Sequence, residues 1–208
     1  MTNPGDRRPI AARDWRPIQD AAALLIRREA SPNAISVAGM VAAILAGLLF
    51  ASVPGIGQPW LAWLCGAVLV QLRLLANVLD GMVAVGRGVA SPVGELYNEI
   101  PDRVSDTAVL AGVGFAAGSP ALGWAAALAA MATAYVRATG RAAGGGSDFR
   151  GPMAKQQRMA LVTALAVFCA VVPSYSVLAA QAALWLILAL SLLTAARRLS
   201  GIARALRR

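Results

Sequence analysis

Thirty consecutive residues in the middle of the chain, 107–136, carry no acidic or basic side chain and read TAVLAGVGFAAGSPALGWAAALAAMATAYV. Two further uncharged runs lie on either side, at residues 30–72 and 159–196. Because a membrane-spanning helix needs about 20 apolar residues, each flanking run can hold two spans. The middle run holds two if the helix before it begins near Gly94. Each run contains a cluster of Pro, Gly or Ser, which is typical of a turn between helices, so the sequence predicts three helical hairpins.

The composition also indicates a membrane protein. Of the 208 residues, 58% are hydrophobic and only 14% are charged, whereas a soluble domain of this length carries far more surface charge. We therefore expect an all-α integral membrane fold with six transmembrane helices. The predicted spans cover roughly residues 33–53, 59–85, 94–117, 120–139, 156–173 and 176–197.

An N-terminal amphipathic helix is predicted ahead of the first span. Trp15, Ile18, Ala22 and Leu25 recur at helical spacing within residues 9–30, and basic and acidic residues lie between them. This pattern is typical of a helix that lies in the membrane surface with its apolar side toward the lipid. We therefore expect an interfacial helix in this segment.

The distribution of charge predicts the orientation. All 19 Lys and Arg residues lie outside the three hairpin turns, so the positive-inside rule places both termini and the acidic segments in the cytoplasm. We expect the membrane to be the bacterial inner (plasma) membrane. This topology explains most of the net charge of +9, so we do not expect nucleic-acid binding.

The chain is expected to form one membrane domain. Residues 1–30 are interpreted as an N-terminal cytoplasmic segment, residues 31–208 as the six-helix domain, and residues 140–151 as a flexible cytoplasmic loop. The first thirty residues are polar and lack a leading apolar core, so we expect no cleavable signal peptide.

Five of the ten acidic residues fall between residues 80 and 106. Ionisable groups at membrane depth are costly, so they indicate a site for an ion or a substrate. On a helix, Glu95, Glu99, Asp102 and Asp106 would lie within roughly 60° of one another. Pro101 would either kink this helix or mark its start, and in the second case Glu95 and Glu99 would belong to a loop.

A second polar face precedes this stripe. Asn77 and Asp80 are three residues apart and share one side of a helix, and Asn98 lies at the edge of the acidic stripe. The two faces can meet in a bundle, and their oxygens suit a hard cation such as Mg²⁺, Mn²⁺ or Ca²⁺. Gly81 would allow a helix or a phosphate to approach the backbone closely. The chain has no His, which removes the commonest general base and metal ligand.

Simpler explanations stay open for some of these acids. Glu95 could be an interfacial charge stabilised by the helix dipole. Asp106 could bond locally with Arg103 or with water. Asp80 and Asp102 have no evident structural use in a membrane helix, so we assign them to function.

These residues resemble the signature of the CDP-alcohol phosphotransferases, integral-membrane enzymes of phospholipid synthesis. The family pattern is Asp-x-x-Asp-Gly-x-x-Ala-Arg, then eight or more residues, then Gly-x-x-x-Asp-x-x-x-Asp. The chain keeps every spacing and reads Asn77-x-x-Asp80-Gly81-x-x-Ala84-Val85, then eight residues, then Gly94-x-x-x-Asn98-x-x-x-Asp102. Residues 31–36 and 135–138 are also similar to the start of the family's first span and the end of its fourth.

The resemblance implies a homodimer that transfers a substituted phosphate (phosphatidyl-type) group from a CDP-linked lipid donor to an alcohol acceptor, with release of CMP. It implies that Asp80, Asp102, Asn77 and Asn98 hold Mg²⁺ or Mn²⁺ on the diphosphate, and that Asp102 deprotonates the alcohol. Gly81, Ala84 and Gly94 would lie against the substrate. Inositol phosphate, glycerol phosphate and serine are all candidate acceptors.

The chain departs from the pattern at three positions. Asn77 and Asn98 replace aspartates, and Val85 replaces the arginine. Asn keeps an oxygen ligand and loses the charge. We therefore expect Glu99 and Asp106 to restore negative charge at the metal site.

Four basic residues complete the predicted site. Arg87 is expected to stand in for the missing signature arginine. Arg137, Arg141 and Lys155 are candidates for contacting anionic lipid or the acceptor phosphate.

Two other classes of function stay open. One is a catalytically inactive homologue that binds a nucleotide or lipid and acts as a membrane scaffold. The other is a small transporter that uses the acids as a transport site, which the predicted cytoplasmic position of the acids disfavours.

Overall fold

The computed structural model describes residues 11–146 and 148–207, except for the side chains of Ala11, Ala12, Pro92 and Glu95. The first ten residues, which belong to the predicted N-terminal segment, and the predicted role of the Glu95 side chain lie outside this part. No strand occurs in the ranges just given. After a short 3-10 turn, Ala11–Asp14, the helices are α1 (Arg16–Arg27), α2 (Pro32–Ser52), α3 (Pro59–Gly86), α4 (Pro92–Ala116), α5 (Pro120–Ala142), α6 (Lys155–Val171) and α7 (Ser176–Leu206).

Within the described residues, four segments are long and apolar enough to cross a membrane: Pro32–Gly55, Pro59–Gly86, Pro120–Ala142 and Pro173–Leu206. The other two long helices fall short for different reasons. α4 carries the acidic stripe, and α6 has only 17 residues. The protein is therefore an all-helical membrane protein with at least four helices of spanning length and composition.

Serine and proline define where several helices begin. Ser31 caps α2 through its side-chain oxygen, which accepts a hydrogen bond from the Ala34 amide at 3.4 Å. Ser91 caps α4 in the same way, and the Gly94 amide donates to it at 3.1 Å. A proline follows each cap, where its missing amide hydrogen is not needed. These local signals explain why the predicted helix starts agree with the structure.

α4 runs without interruption through Pro101. A helix start at this proline, one of the two possibilities left by the sequence, is therefore wrong. Asn98, Glu99 and Asp102 all lie on one continuous helix, so their relative directions follow helical geometry.

Close helix packing holds α4 in place. A Cβ atom on Gly47 of α2 would overlap the Ala108 carbonyl of α4, and one on Gly112 of α4 would overlap the Gly47 carbonyl. Small residues allow two helix backbones to approach in this way. The α2–α4 pair is thus fixed in the half of α4 that follows the acidic residues.

α1 lies in the segment where an interfacial helix is predicted, and part of its apolar side packs on protein. Ile18 and Ala22 are buried in one cluster with Val78 and Leu79 of α3. Trp15, which was expected on the same apolar side, is 64% exposed. The cluster fixes α1 beside the end of α3 that carries Asp80.

The segment between α5 and α6 is anchored to α7. Thr194 accepts a hydrogen bond from the Met153 amide at 3.0 Å, and Arg198 donates to the Arg150 carbonyl at 2.9 Å. Hydrogen bonds from Arg150 also hold the pKa of the Asp148 carboxyl below its usual range. These contacts position the start of α6, which carries Lys155.

Candidate functional site

A small cavity forms where α2, α3 and α4 meet. The structure brings together polar side chains from all three helices around it: Ser36, Arg73, Asn77, Asp80, Asn98 and Asp102. The two polar faces expected from the sequence therefore lie against each other.

Asp102 lies among three cations, of which Arg103 is the most distant, with its Nη2 3.7 Å from Asp102 Oδ2. Its Oδ1 atom accepts a hydrogen bond from Arg73 Nη2 at 2.5 Å and from Asn77 Nδ2 at 3.1 Å. Its Oδ2 atom forms an ion pair with Lys155 Nζ. The carboxylate is 7% exposed, and burial of a charge is tolerated only with such partners. Asp102 is thereby held in one orientation and in the ionised state.

Asn77 links the other groups. Its Nδ2 donates to Asn98 Oδ1 at 3.0 Å as well as to Asp102, and its Oδ1 accepts from Lys155 Nζ at 2.5 Å. Both signature positions that carry Asn thus contribute to one network. The Asn98 carbonyl oxygen keeps a second lone pair, and its residue is exposed.

Asp80 differs from Asp102 because it has no cationic partner in the described part of the chain. Ser36 Oγ donates to its Oδ2 atom at 2.5 Å. Its Oδ1 atom is buried and has no hydrogen-bond partner. A buried carboxylate oxygen without a partner is costly. We therefore expect a cation or a hydrogen-bond donor of a ligand to bind at this atom.

Glu99 and Asp106 lie outside this cavity. Glu99 Oε1 accepts from Arg137 Nη2 at 2.5 Å, and Asp106 Oδ2 accepts from Arg158 Nη2 at 2.6 Å. Asp106 therefore has a partner on α6 and not the local one, Arg103, that the sequence left open. Among the described residues, no three His, Cys, Asp or Glu side chains form a group that could hold a metal ion.

The glycines of the signature are not tightly packed, and a Cβ atom on either would make only ordinary van der Waals contacts. The nearest atom to a Cβ placed on Gly81 would be Arg13 Nη2, at 3.7 Å. At Gly94 the nearest atoms would be Ser91 Oγ at 3.5 Å and Asn33 Oδ1 at 3.9 Å. Ala84 is partly buried on the same helix as Gly81. A ligand could approach the backbone at both glycines.

The basic residues are divided between the cavity and its surroundings. Arg87 donates to the carbonyls of Glu29 at 2.9 Å and Ala30 at 2.7 Å, so it ties α3 to the link between α1 and α2. Arg137 lies 5.4 Å from the centre of the Phe149 ring in addition to its contact with Glu99. Arg141 is exposed near the end of α5.

Three site residues were missed at the sequence level. Arg73 is a charged residue inside an apolar span, four residues before Asn77, so the rule that singled out the acids would also have found it. Ser36 has no distinctive signal besides its place in the 31–36 segment. Arg13 is one of the basic residues of the predicted surface helix, and its position in the sequence does not link it to the signature.

Comparison with known proteins places the chain in a family. No family model matches it. It is 30% identical to a phosphatidylinositol phosphate synthase of Mycobacteroides abscessus over 192 residues, which cover 87% of the chain and 81% of the relative. A phosphatidylinositol phosphate synthase of Mycolicibacterium smegmatis is 36% identical over 98 residues, which cover 47% of the chain and less than half, 40%, of that relative.

The fold is shared with a solved enzyme. The phosphatidylinositol phosphate synthase of Mycobacterium tuberculosis, solved with manganese and citrate, superposes with a TM-score of 0.75 at 22% identity and covers 89% of this chain and 88% of its own. The same enzyme with CDP-DAG bound gives a TM-score of 0.74 at 23% identity, over 90% of this chain and 94% of its own. The extended similarity to the M. abscessus protein and the conserved signature spacing confirm the resemblance: the chain belongs to the CDP-alcohol phosphatidyltransferase family.

Proposed function

We propose that the protein transfers a phosphatidyl-type group from a CDP-linked lipid to an alcohol, with release of CMP, in phospholipid biosynthesis. The observation that carries this proposal is the cavity in which Asp80 and Asp102 meet. Family membership supports it, as does the CDP-DAG complex of the M. tuberculosis enzyme. The names of the relatives favour an inositol phosphate as the acceptor.

A divalent cation fits one part of this cavity. The free Oδ1 atom of Asp80 is a hard anionic ligand, and the amide oxygen of Asn98, which keeps a lone pair, is a hard neutral ligand. Asp80 and Asn98 would hold Mg²⁺ or Mn²⁺, since Lys155 binds the Asn77 oxygen. The ion would supply charge neutralisation for the donor diphosphate. Manganese in the M. tuberculosis structure supports this choice of metal.

Asp102 is proposed as the general base. Arg73 and Lys155 hold it as a carboxylate, which is the form that can accept the proton of an acceptor hydroxyl. Since both of its oxygens are engaged, the substrate must displace one contact. Lys155 is the partner that would move, because its flexible side chain is 20% exposed whereas that of Arg73 is 2% exposed. Arg137, Arg141 and Lys155 are proposed to contact the acceptor phosphate or anionic lipid.

We also propose that two helices besides the four segments described above span the membrane. α6 has 17 residues, about 25 Å of helix, which reaches most of the way across a bilayer core of about 30 Å. α4 has 25 residues, about 37 Å of helix, which is long enough to cross it. We propose six spans in residues 31–208, with both termini and the site in the cytoplasm of a bacterial inner membrane. Residues 1–30 would hold α1 at the membrane surface, with the exposed Trp15 in the lipid headgroups. A homodimer is proposed from the family resemblance.

The test of the proposed function is CMP release by the purified protein. Detergent-solubilised enzyme is supplied with CDP-diacylglycerol, inositol phosphate and Mn²⁺. We expect CMP and a phosphatidyl product in equal amounts, and a loss of at least about 100-fold in Asp102→Asn, since a positioned base contributes about 10²–10⁴ in rate. No CMP release with inositol phosphate, glycerol phosphate or serine would overturn the proposal.

A non-catalytic lipid-binding scaffold is the second candidate. The replacement of two signature aspartates by Asn77 and Asn98 favours it, because the site retains less negative charge for metal binding. Tight binding of CDP-diacylglycerol without any CMP release would select this function.

A further inference from the structure

The negative charge around the cavity is already neutralised without any bound ion. Two carboxylates, Asp80 and Asp102, line the cavity, and three cations, Arg73, Lys155 and Arg103, pair with Asp102. The amides of Asn77 and Asn98 add no charge. A group of divalent ions would place a large excess of positive charge among these residues, and like charges in a confined site repel strongly.

Lys155 binds the oxygens that would otherwise be metal ligands. Its ammonium group contacts Asn77 Oδ1 at 2.5 Å and pairs with Asp102 Oδ2, and the other Asp102 oxygen is bound by Arg73. An ammonium group is a compact point charge with three donors. It therefore satisfies a carboxylate and an amide oxygen in the way that a small cation would.

Among the described residues that line the cavity, one carboxylate oxygen has neither a hydrogen-bond partner nor an ion-pair partner. It belongs to Asp80, which is 4% exposed and whose second oxygen is fixed by Ser36. Glu99 and Asp106, the acids expected to restore the lost charge, are neutralised by Arg137 and Arg158 outside the cavity.

We propose that Lys155 replaces one metal ion in this protein, so that the site takes a single divalent cation at Asp80. The inference rests on the proposed function, because it describes how the same site balances the charge of a nucleotide diphosphate. It assigns to Lys155 a cationic role that the two Asn substitutions make possible.

Metal stoichiometry tests this inference without an activity assay. Mn²⁺ is titrated into the detergent-solubilised full-length protein, and free ion is counted by electron paramagnetic resonance. We expect one Mn²⁺ per wild-type chain and none in Asp80→Asn. Two ions per wild-type chain, or none, would overturn the proposal.

A pair of variants tests the role of Lys155 directly. Asn77→Asp adds a carboxylate beside Lys155 and is expected to bind one Mn²⁺ still. Asn77→Asp with Lys155→Met is expected to bind two, and Asn77→Asp with Arg204→Met, which removes an exposed charge at the end of α7, is expected to bind one. Lys155→Gln replaces Lys155→Met if the latter unfolds. A second ion in Asn77→Asp alone, or one ion in the Lys155 double variant, contradicts the inference.

The two proposals can fail separately. An active wild-type protein with two bound ions would contradict the single-ion inference and support the transferase function. One bound ion without CMP release with any acceptor would support the single-ion inference and contradict the transferase function.

A second, independent observation concerns the missing signature arginine. Val85 at that position is 53% exposed, and Arg87 is committed to backbone carbonyls. Arg13 instead places Nη2 3.7 Å from the Cβ position of Gly81. Its Nε is buried and has no hydrogen-bond partner, so the guanidinium beside Gly81 has an unused donor.

We infer that Arg13 supplies the guanidinium that binds the donor diphosphate at Gly81. Arg13→Gln is expected to raise the KM for CDP-diacylglycerol at least about tenfold with a smaller change in kcat, since it removes a charge-assisted hydrogen bond to the substrate. The control is Arg16→Gln, an exposed position at the start of α1, which should leave KM unchanged.

Rescue separates binding from a structural role. Adding Val85→Arg to Arg13→Gln restores the family arginine and is expected to recover most of the lost affinity for CDP-diacylglycerol. Direct binding of CDP-diacylglycerol, measured by calorimetry, gives the same comparison if turnover is absent. Equal KM and affinity in Arg13→Gln and Arg16→Gln, or no rescue by Val85→Arg in a protein with normal thermal stability, would refute the assignment.

Discussion

Asp80 has one oxygen bound by Ser36 and one without a partner. We expect loss of the carboxylate charge and loss of the Ser36 hydrogen bond to have different effects on metal binding. Asp80→Asn keeps the shape and removes the charge, so we expect Mn²⁺ to lose its stabilising effect on the folded protein. Binding to the folded state raises stability by mass action, about 2.7 kcal/mol at 100 times Kd. Thermal melting with and without Mn²⁺ measures the effect.

The matched control for Asp80 is Ser36→Ala. It removes one hydrogen bond to a carboxylate, about 1.5–3 kcal/mol, and keeps the charge. We expect this variant to retain a Mn²⁺-dependent rise in melting temperature, though a smaller one. A full rise in Asp80→Asn would show that the ion binds elsewhere.

The buried pair of Asp106 and Arg158 is expected to be structural. Asp106→Ala leaves the Arg158 guanidinium, which is 1% exposed, without its carboxylate, and breaking a buried pair in this way costs about 3–5 kcal/mol. Asp106→Leu with Arg158→Met should be markedly more stable than Asp106→Ala. Melting temperatures of the solubilised variants measure this, and equal values for the single and double variants would contradict the pairing.

The sequence allowed the carboxylates and amides of the site to be predicted, and Lys155 as a phosphate contact, but not the ion pairs that the basic residues form. Asn77, Asp80 and Asp102 could be placed together because helical spacing fixes which residues share a face. Lys155 and Arg158 lie 53 and 52 residues from their carboxylate partners, and no local pattern links such distant positions. The sequence therefore could not show that Arg137 and Arg158 pair with Glu99 and Asp106, which were expected to supply negative charge to the metal site.

Local sequence signals predicted the helix boundaries better than they predicted the contacts of the site. Serine caps followed by prolines mark the starts of α2 and α4. The end of α7 was expected near residue 197, where arginines begin, yet the helix continues to Leu206. A helix that continues beyond the membrane needs no further apolar residues. Charged residues therefore mark the end of the membrane-spanning part, while the helix itself can continue past them.

The contact between α2 and α4 predicts the effect of a single methyl group. Gly112→Ala would place a Cβ against the Gly47 carbonyl, and overpacking of this kind costs about 1–3 kcal/mol. Because α4 carries Asp102, we expect lower CMP release together with a lower melting temperature. Gly57→Ala, which has open space around its Cβ, is the control and should change neither. An unaffected Gly112→Ala would mean that the two helices can separate freely.

The outer surface of the molecule is largely apolar. Leu128, Val171 and Leu178 are 70%, 75% and 65% exposed, and a soluble protein rarely leaves so much apolar area in contact with water. These side chains suit lipid or a second copy of the chain. By contrast, the basic side chains near the acidic cavity, apart from Arg73 in the middle of α3, occur at one end of the helices. This distribution favours the proposed cytoplasmic orientation of the cavity.

This distribution predicts which loops a reagent reaches from outside the cell. In a background with Cys65 and Cys169 replaced by Ala, Gly57→Cys should react with a membrane-impermeant maleimide on intact cells, because the α2–α3 turn is exposed and uncharged. Ala143→Cys, at an exposed position with φ of −78° after α5, should react only after the cells are opened. Alanine at 143 is a better site than the neighbouring Gly144, whose φ of +86° would strain a side chain. Labelling of Ala143→Cys on intact cells, with protection of Gly57→Cys, would place the acidic cavity on the opposite side of the membrane from the cytoplasmic pool of nucleotides.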